Sequence, residues 1–416
     1  MRKIVGKPIR NPETLSIIHF LEEGKMRKSS LLLALAVIAS LTVFSADWVI
    51  AAEEILVGNV QDLSGPNKAF GLATVNGAQM YFDKINAGGG INGMKLRIIS
   101  YDTKSEVNEA ISAYRRLADL DKVSLVIGPP IANMGIALAP ITDQKKIPIV
   151  GLYMDERATT KQDGSPWTYM FLAQNSSGAQ ARTIAQYAIK DLKLKKFALL
   201  YNQQNAYSVS LAEPFAEYVT GNGGPIVAKE TFMTADKDYR AQLTKIKQAN
   251  PEAIYMPNYP QEIPLALQQS YDLGIKATIL GNNSYIPFAL ATTTDPKASE
   301  GVYFPYGIDP SDPKLKDYSA EYEKKFGYPA ITQAFSGWDL GGAIVEAYKR
   351  ALATSPKPSG DALAAELAKT KDFAGYQGSF TISPKTHRPL GLAMYILQVK
   401  GGKTVTLNKI IPPEEK

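Results

Sequence analysis

The sequence predicts an α/β fold of two parallel-sheet lobes, and three observations carry that prediction. Residues 54–102 read strand, polar loop, helix, glycine turn, strand, which is a complete βαβ unit. The same alternation continues in two successive runs down the chain, one for each sheet. An apolar leader precedes the first strand, so the fold is expected outside the cytoplasm.

The elements follow in order. Ile55-Leu56-Val57-Gly58-Asn59-Val60 is an apolar run of buried-strand length, Leu63-Ser64-Gly65-Pro66 interrupts it, and Leu72, Val75, Ala78, Phe82 and Ile85 recur at helical spacing. That helix stops at Asn86-Ala87-Gly88-Gly89-Gly90. Residues 96–101 return as a strand, so a right-handed parallel crossover is expected. Val107, Ala110, Ile111, Tyr114, Leu117 and Ala118 mark a helix, and residues 123–127 a buried strand. A helix from about Asn133 and a strand at 147–152 complete the first run.

The second run reads helix 179–189, strand 197–201, helix 211–219, strand 226–232 and helix 239–249. Strand 253–256, helix 263–273 and strand 278–280 follow. Leu340, Ala343, Ile344, Ala347 and Ala351 mark a later amphipathic helix, and Ser355-Pro356-Lys357-Pro358-Ser359-Gly360 is a loop.

The leader has the layout of a signal peptide over residues 26–52: Arg27 and Lys28, an apolar run over 31–44, then Ala51 and Ala52. The run falls short of the roughly 20 residues a membrane-spanning helix needs. Met26-Arg27-Lys28 is itself a normal signal-peptide start, so residues 1–25 are expected to be an overcalled start. Without residues 1–52 the chain loses seven basic and four acidic residues, and its formal charge drops from +6 to +3. That is no nucleic-acid footprint. With no charge block or low-complexity tract, the remaining chain of about 364 residues is expected to form two domains. Cysteine is absent, which leaves no disulfide and no N-terminal lipidation site and predicts a soluble periplasmic protein.

Gly88-Gly89-Gly90-Ile91-Asn92-Gly93 satisfies G-x-G-x-x-G, but it closes a helix where a dinucleotide fingerprint opens one, so it reads as a helix stop. His387 is the single histidine after the leader, and no G-x-S-x-G elbow or H-E-x-x-H accompanies it. No catalytic set, no metal site and no cofactor is expected. In an open parallel sheet, ligands bind outside the carboxyl ends of the strands. Those ends carry the loops 62–70, 128–133, 151–156, 201–207, 256–262 and 281–286.

Asp62-Leu63-Ser64-Gly65-Pro66 and the run from Ile85 through Asn92-Gly93-Met94-Lys95-Leu96 resemble the opening of periplasmic branched-chain amino-acid-binding proteins, the Leu/Ile/Val-type solute-binding proteins of ABC importers. Val126-Ile127-Gly128-Pro129, Lys146-Ile147-Pro148, Ala206-Tyr207, Asp236-Lys237-Asp238-Tyr239, Leu273-Gly274-Ile275-Lys276 and Glu300-Gly301-Val302-Tyr303 agree in order and spacing. The resemblance implies a type I periplasmic-binding fold, two Rossmann-like lobes joined by three hinge crossings near 172–173, 302–305 and 380–390. Lobe I is then 53–173 with 304–383, and lobe II is 174–303 with 384–416.

Carried over by residue, the resemblance implies a ligand site of Phe70, Ala132, Asn133, Asp155, Tyr207, Tyr259 and Asn283, to which Tyr153 is added as an aromatic of the loop 151–156. Ala132, with Asn133 beside it, stands where the family has a carboxylate-binding hydroxyl. A helix opening there still offers free N–H groups. Asp155 replaces a threonine that meets the ligand ammonium, and Asn283 replaces the acid that pairs with it. Tyr207 and Tyr259 keep the tyrosines, and Phe70 lines the first-lobe wall. Trp338-Asp339 resembles a helix start with a packing and capping role.

The implied function is capture of a small amino acid or related carboxylate by hinge closure, and delivery to permease subunits of an ABC importer. The protein is expected to act as a monomer, with no enzyme activity and no nucleic acid partner. Two alternatives stay open. Phe70, Tyr153, Tyr207, Tyr259 and Tyr285, with the missing hydroxyl and acid, favour an aromatic or other non-amino-acid carboxylate. A ligand-sensing module for a membrane receptor would share the fold.

Overall fold

The structure is a computed structural model that describes residues 53–286, 290, 293 and 295–413. The expected signal peptide and the overcalled start lie outside the described residues. Among the described residues no helix is long and apolar enough to cross a membrane.

The first sheet holds β1 (Glu54–Gln61), β2 (Lys95–Asp102), β3 (Val126–Ile127), β4 (Ile149–Gly151) and β5 (Met170–Leu172), in the order β2-β1-β3-β4-β5 and parallel throughout. Its crossovers are the helices α1 (Lys68–Ala87), α2 (Val107–Asp119) and α3 (Ala132–Lys145). The strands expected at 123–127 and 147–152 shrink to β3 and β4. Lys122 and Lys146 take left-handed φ of 56° each, a turn that delays the extended backbone behind it. β5 escaped the sequence reading because three residues carry too little pattern. The glycine turn is a helix stop: Gly89 and Gly90 have φ of 100° and 79°.

α4 (Ser177–Lys190) leads into the second sheet, which contains β6 (Phe197–Asn202), β7 (Ile226–Phe232), β8 (Ala253–Tyr255), β9 (Thr278–Leu280) and β10 (Tyr303–Tyr306). The order β7-β6-β8-β9-β10 repeats that of the first sheet, again parallel, with α5 (Ala206–Gly221), α6 (Arg240–Gln248) and α7 (Ile263–Asp272) as crossovers. After β10 the chain returns to the first layer through α8 (Lys316–Phe326), α9 (Thr332–Leu352), α10 (Gly360–Ala368) and a small antiparallel sheet. That sheet is β11 (Phe373–Ala374), β12 (Ser379–Ile382) and β13 (Pro389–Leu390). Leu340, Ile344, Leu363 and Phe380 share one apolar core with Ile55 and Val57 of β1. β14 (Met394–Lys400) and β15 (Lys403–Ile410) then add an antiparallel hairpin to β10.

The sheet membership differs from the expected boundaries at two edges. Residues 304–306 belong to β10 of the second sheet, and residues 384–390 stay with the first layer. His387 shows why the second edge moves. Its ring stacks on Phe171 at 4.2 Å between centroids, and Nδ1 lies 3.0 Å from the Trp167 carbonyl and 3.2 Å from that of Met170. Facing two acceptors, Nδ1 carries the proton. Burial lowers the imidazole pKa.

Asp339 sits inside α9, not at a helix start, because the helix already opens at Thr332. Its carboxylate accepts N–H from Tyr376 at 2.7 Å and from Gln377 at 2.9 Å, and Gln377 Nε2 donates to the Ala173 carbonyl at 3.1 Å. Burial pushes the Asp339 pKa up to about 7. Asp339 thus pins the loop before β12 to α9 and to the end of β5, where the chain passes between layers.

Candidate functional site

In both sheets the strand order reverses at one place, between β1 and β3 and between β6 and β8, and these switch points are where α/β sheets bind ligands. One cavity gathers side chains from both. Phe70 follows β1, Pro130 follows β3, Leu152 and Met154 follow β4, and Gln174 follows β5. Tyr207 follows β6, Tyr259 follows β8, Asn283 and Ser284 follow β9, and Gln333 comes from the first turn of α9. The space open to the centre of a water-sized sphere is only about 10 Å³, room for about one water.

Local chemistry sets each wall. Asn205 caps α5, accepting from the Tyr207 N–H at 3.0 Å, which places Tyr207 in the first turn. The Tyr207 hydroxyl donates to Asn283 Oδ1 at 2.5 Å. Tyr259 stacks on Tyr207 with centroids 5.2 Å apart. Behind it Glu262 accepts from the Tyr259 N–H at 3.1 Å and from Asn202 Nδ2 at 2.6 Å, and burial raises its pKa. Both tyrosine hydroxyls have raised pKa values, chiefly from burial, so they are neutral donors.

On the opposite wall, Asp62 accepts from the N–H groups of Gly65 at 2.6 Å and Asn67 at 2.9 Å and from the Ser105 hydroxyl. That fixes the turn ahead of α1 and with it Phe70. α3 opens at Ile131 with no side-chain cap, so its first N–H groups have no partner within the helix. The Ala132 N–H meets the Tyr259 hydroxyl. Asn133 Oδ1 accepts from the Ala206 N–H at 3.0 Å, joining the start of α3 to the start of α5 across the layers.

Four of the expected residues therefore line one cavity: Phe70, Tyr207, Tyr259 and Asn283. Ala132 and Asn133 stand at its edge through backbone and cross-layer contacts. Tyr153 and Asp155 do not line it. The Tyr153 ring fills the space left by Gly135 and Gly151, where a Cβ would come within 2.6 Å and 2.4 Å of it, and its hydroxyl donates to the Phe171 carbonyl at 2.6 Å. The Asp155 carboxylate accepts from the Arg157 N–H at 2.9 Å, from Nε at 3.0 Å and from Nη2 at 2.6 Å, capping the 3-10 turn Glu156–Ala158. Tyr285 is likewise core, donating to the Met256 carbonyl at 3.0 Å.

Met154 takes the position expected for its neighbours because its φ is 56°, a left-handed conformation that breaks the alternation of side chains. Gln180 Nε2 points to its sulfur at 3.3 Å. Gln333 Oε1 is buried without a hydrogen-bond partner. Met154, Gln174 and Gln333 were missed in the sequence. β5 before Gln174 is too short to carry a pattern, and the periodicity marking α9 became clear only from Leu340. No ionised side chain is among the lining residues.

A profile described as "Periplasmic binding protein" matches residues 54–403. A Leu/Ile/Val-binding protein of Rhizobium johnstonii is 29% identical over 234 residues, 56% of this chain and 62% of that relative, so the match spans less than two thirds of the relative's length. The leucine binding protein of Thermotoga maritima superposes with a TM-score of 0.76 at 26% identity, covering 86% of this chain and 99% of that one. The branched-chain amino acid transporter substrate binding protein of Streptococcus pneumoniae, solved in complex with isoleucine, gives 0.76 at 27% identity, with 86% and 100% covered. Two sheets of equal strand order around one cavity at their switch points, together with a profile match across nearly the whole described chain, lead to one conclusion: this chain belongs to the periplasmic binding protein family.

Proposed function

We propose that the protein is the extracytoplasmic solute-binding component of an ABC importer, capturing a small amino acid of branched-chain type between its two sheet layers and carrying it to permease subunits. The observation that supports this most directly is the cavity lined from the carboxyl ends of strands in both sheets. With room for about one water, it admits a ligand only when the layers part. Contacts such as Asn133 to Ala206 belong to the closed form, so ligand groups that add to them shift the population toward closure. The lobes are residues 53–173 with 307–390, and 174–306 with the remainder. Export follows cleavage near Ala51-Ala52, and N-terminal sequencing of secreted protein is expected to start at Ala52 or Glu53. Recovery of intact Met26 would oppose it.

In this reading the ligand carboxylate displaces the Tyr259 hydroxyl from the start of α3 and takes the free N–H groups there. The buried acceptor on Gln333 and the Asn283–Tyr207 pair meet the ammonium. A second reading, an amine-free carboxylate such as benzoate, is favoured by the lack of any acid on the cavity wall. Thermal unfolding after removal of co-purified ligand tests both. At 100 times its dissociation constant, isoleucine or benzoate is expected to stabilise by about 2.7 kcal/mol, a rise of several degrees at roughly 2–4 °C per kcal/mol for lobes of this size. No shift with any amino acid or aromatic acid would defeat the proposal.

A further inference from the structure

We propose that the protein carries a second ligand site, an apolar cleft beside β10 that takes a small hydrophobic carboxylate. The cleft has a volume of about 510 Å³, within the range of roughly 300–1,000 Å³ typical of small-molecule pockets. It shares no lining residue with the cavity between the sheets. Ala69 and Leu72 of α1, Tyr306 of β10, Ile331 ahead of α9 and Leu397 of β14 build its walls.

Two backbone segments divide the cleft from the first cavity. The first turn of α1 gives Phe70 to the cavity and Ala69 to the cleft, and the chain entering α9 gives Gln333 to the cavity and Ile331 to the cleft. The partition is stiff, since Asp62 holds the turn ahead of α1 and the Thr332 N–H is bonded to the Tyr306 hydroxyl at 3.3 Å. The two spaces are therefore separate sites.

Lys68 supplies the chemistry. It lines the cleft, is exposed, and its ammonium makes no ion pair among the described residues. An apolar concavity with one unpaired cation complements an amphiphile with one negative charge. A linear or aryl acid of about eight carbons fits, its chain against α1 and β10 and its carboxylate at Lys68. Walls drawn from four separate segments make a concave pocket, the shape suited to a small molecule.

Calorimetric titration of the purified protein with octanoate and with 1-octanol tests the site. One saturable octanoate site is expected in the wild type. Lys68→Gln should weaken octanoate about threefold, the scale of a solvent-exposed charge pair, and leave 1-octanol unchanged. Ala330→Trp, which fills the cleft from a partly exposed lining position, should abolish both. Lys68 is exposed, so that variant carries the test even if Ala330→Trp fails to fold. Absence of saturable binding, octanoate binding that survives Ala330→Trp, or an equal loss for octanoate and octanol in Lys68→Gln would each overturn the proposal. So would a change from dimer to monomer in sedimentation of Ala330→Trp, which would mean that a second copy covers the cleft.

Discussion

Gly337→Leu is expected to lower stability by at least about 3 kcal/mol, a large part of the roughly 5–15 kcal/mol that holds a domain folded. α1 and α9 cross backbone to backbone at a pair of glycines. A Cβ on Gly337 would lie 2.2 Å from the Thr74 carbonyl oxygen, and one on Gly77 would lie 2.1 Å from that of Ala334. Neither obstacle is the end of a flexible side chain, so the helices must separate and the apolar contacts along their length open. Gly77→Leu should act similarly. Gly221→Ala at the end of α5, where an added Cβ meets nothing within 4 Å, is expected to stay within about 0.5 kcal/mol. Urea unfolding measures all three, and a loss below about 1 kcal/mol for Gly337→Leu would disprove the close crossing. The same wedge displaces the walls of the cavity between the sheets, since Gln333 lies one turn before Gly337 and Phe70 two turns before Gly77.

Asn283→Asp is expected to move affinity in opposite directions for the two ligand classes. No ionised side chain lines the cavity now, and residue 283 sits against the Tyr207 hydroxyl at 2.5 Å. A carboxylate there gains a close charge pair with an amino acid's ammonium. Such pairs couple by about 1.5–7 kcal/mol, and desolvation of the new acid offsets part of that. Isoleucine is expected to bind about tenfold tighter or more, at 1.4 kcal/mol per decade. Benzoate meets only a like charge, which costs several kcal/mol, so its affinity should fall at least about a hundredfold. Calorimetry with both ligands decides. If isoleucine binds Asn283→Asp no better than wild type, its ammonium does not sit at residue 283.

Much of the fold was legible because strand and helix leave a period in neighbouring residues. β1, α1 and β2 stand where alternation and helical spacing put them, and the Gly88–Gly93 run is the helix stop its position implied. What stayed illegible was short or irregular. β5 has three residues, and the hairpin of β14 and β15 pairs with β10 across the intervening chain 307–393.

The site divides along the same line. The chain by itself determined which loops stand at the carboxyl ends of the strands, and the family resemblance singled out Phe70, Tyr207, Tyr259 and Asn283 within them. Only the tertiary structure decided which neighbours face the cavity. One left-handed residue, Met154 at φ 56°, sends its own side chain inward, leaves Tyr153 to the core and gives Asp155 to Arg157. Gln333 reaches the cavity because α9 packs on α1, far from it in sequence. Periodicity is a property of adjacent residues. The direction of a loop side chain depends on a single dihedral and on distant packing, and neither leaves a trace in the local pattern.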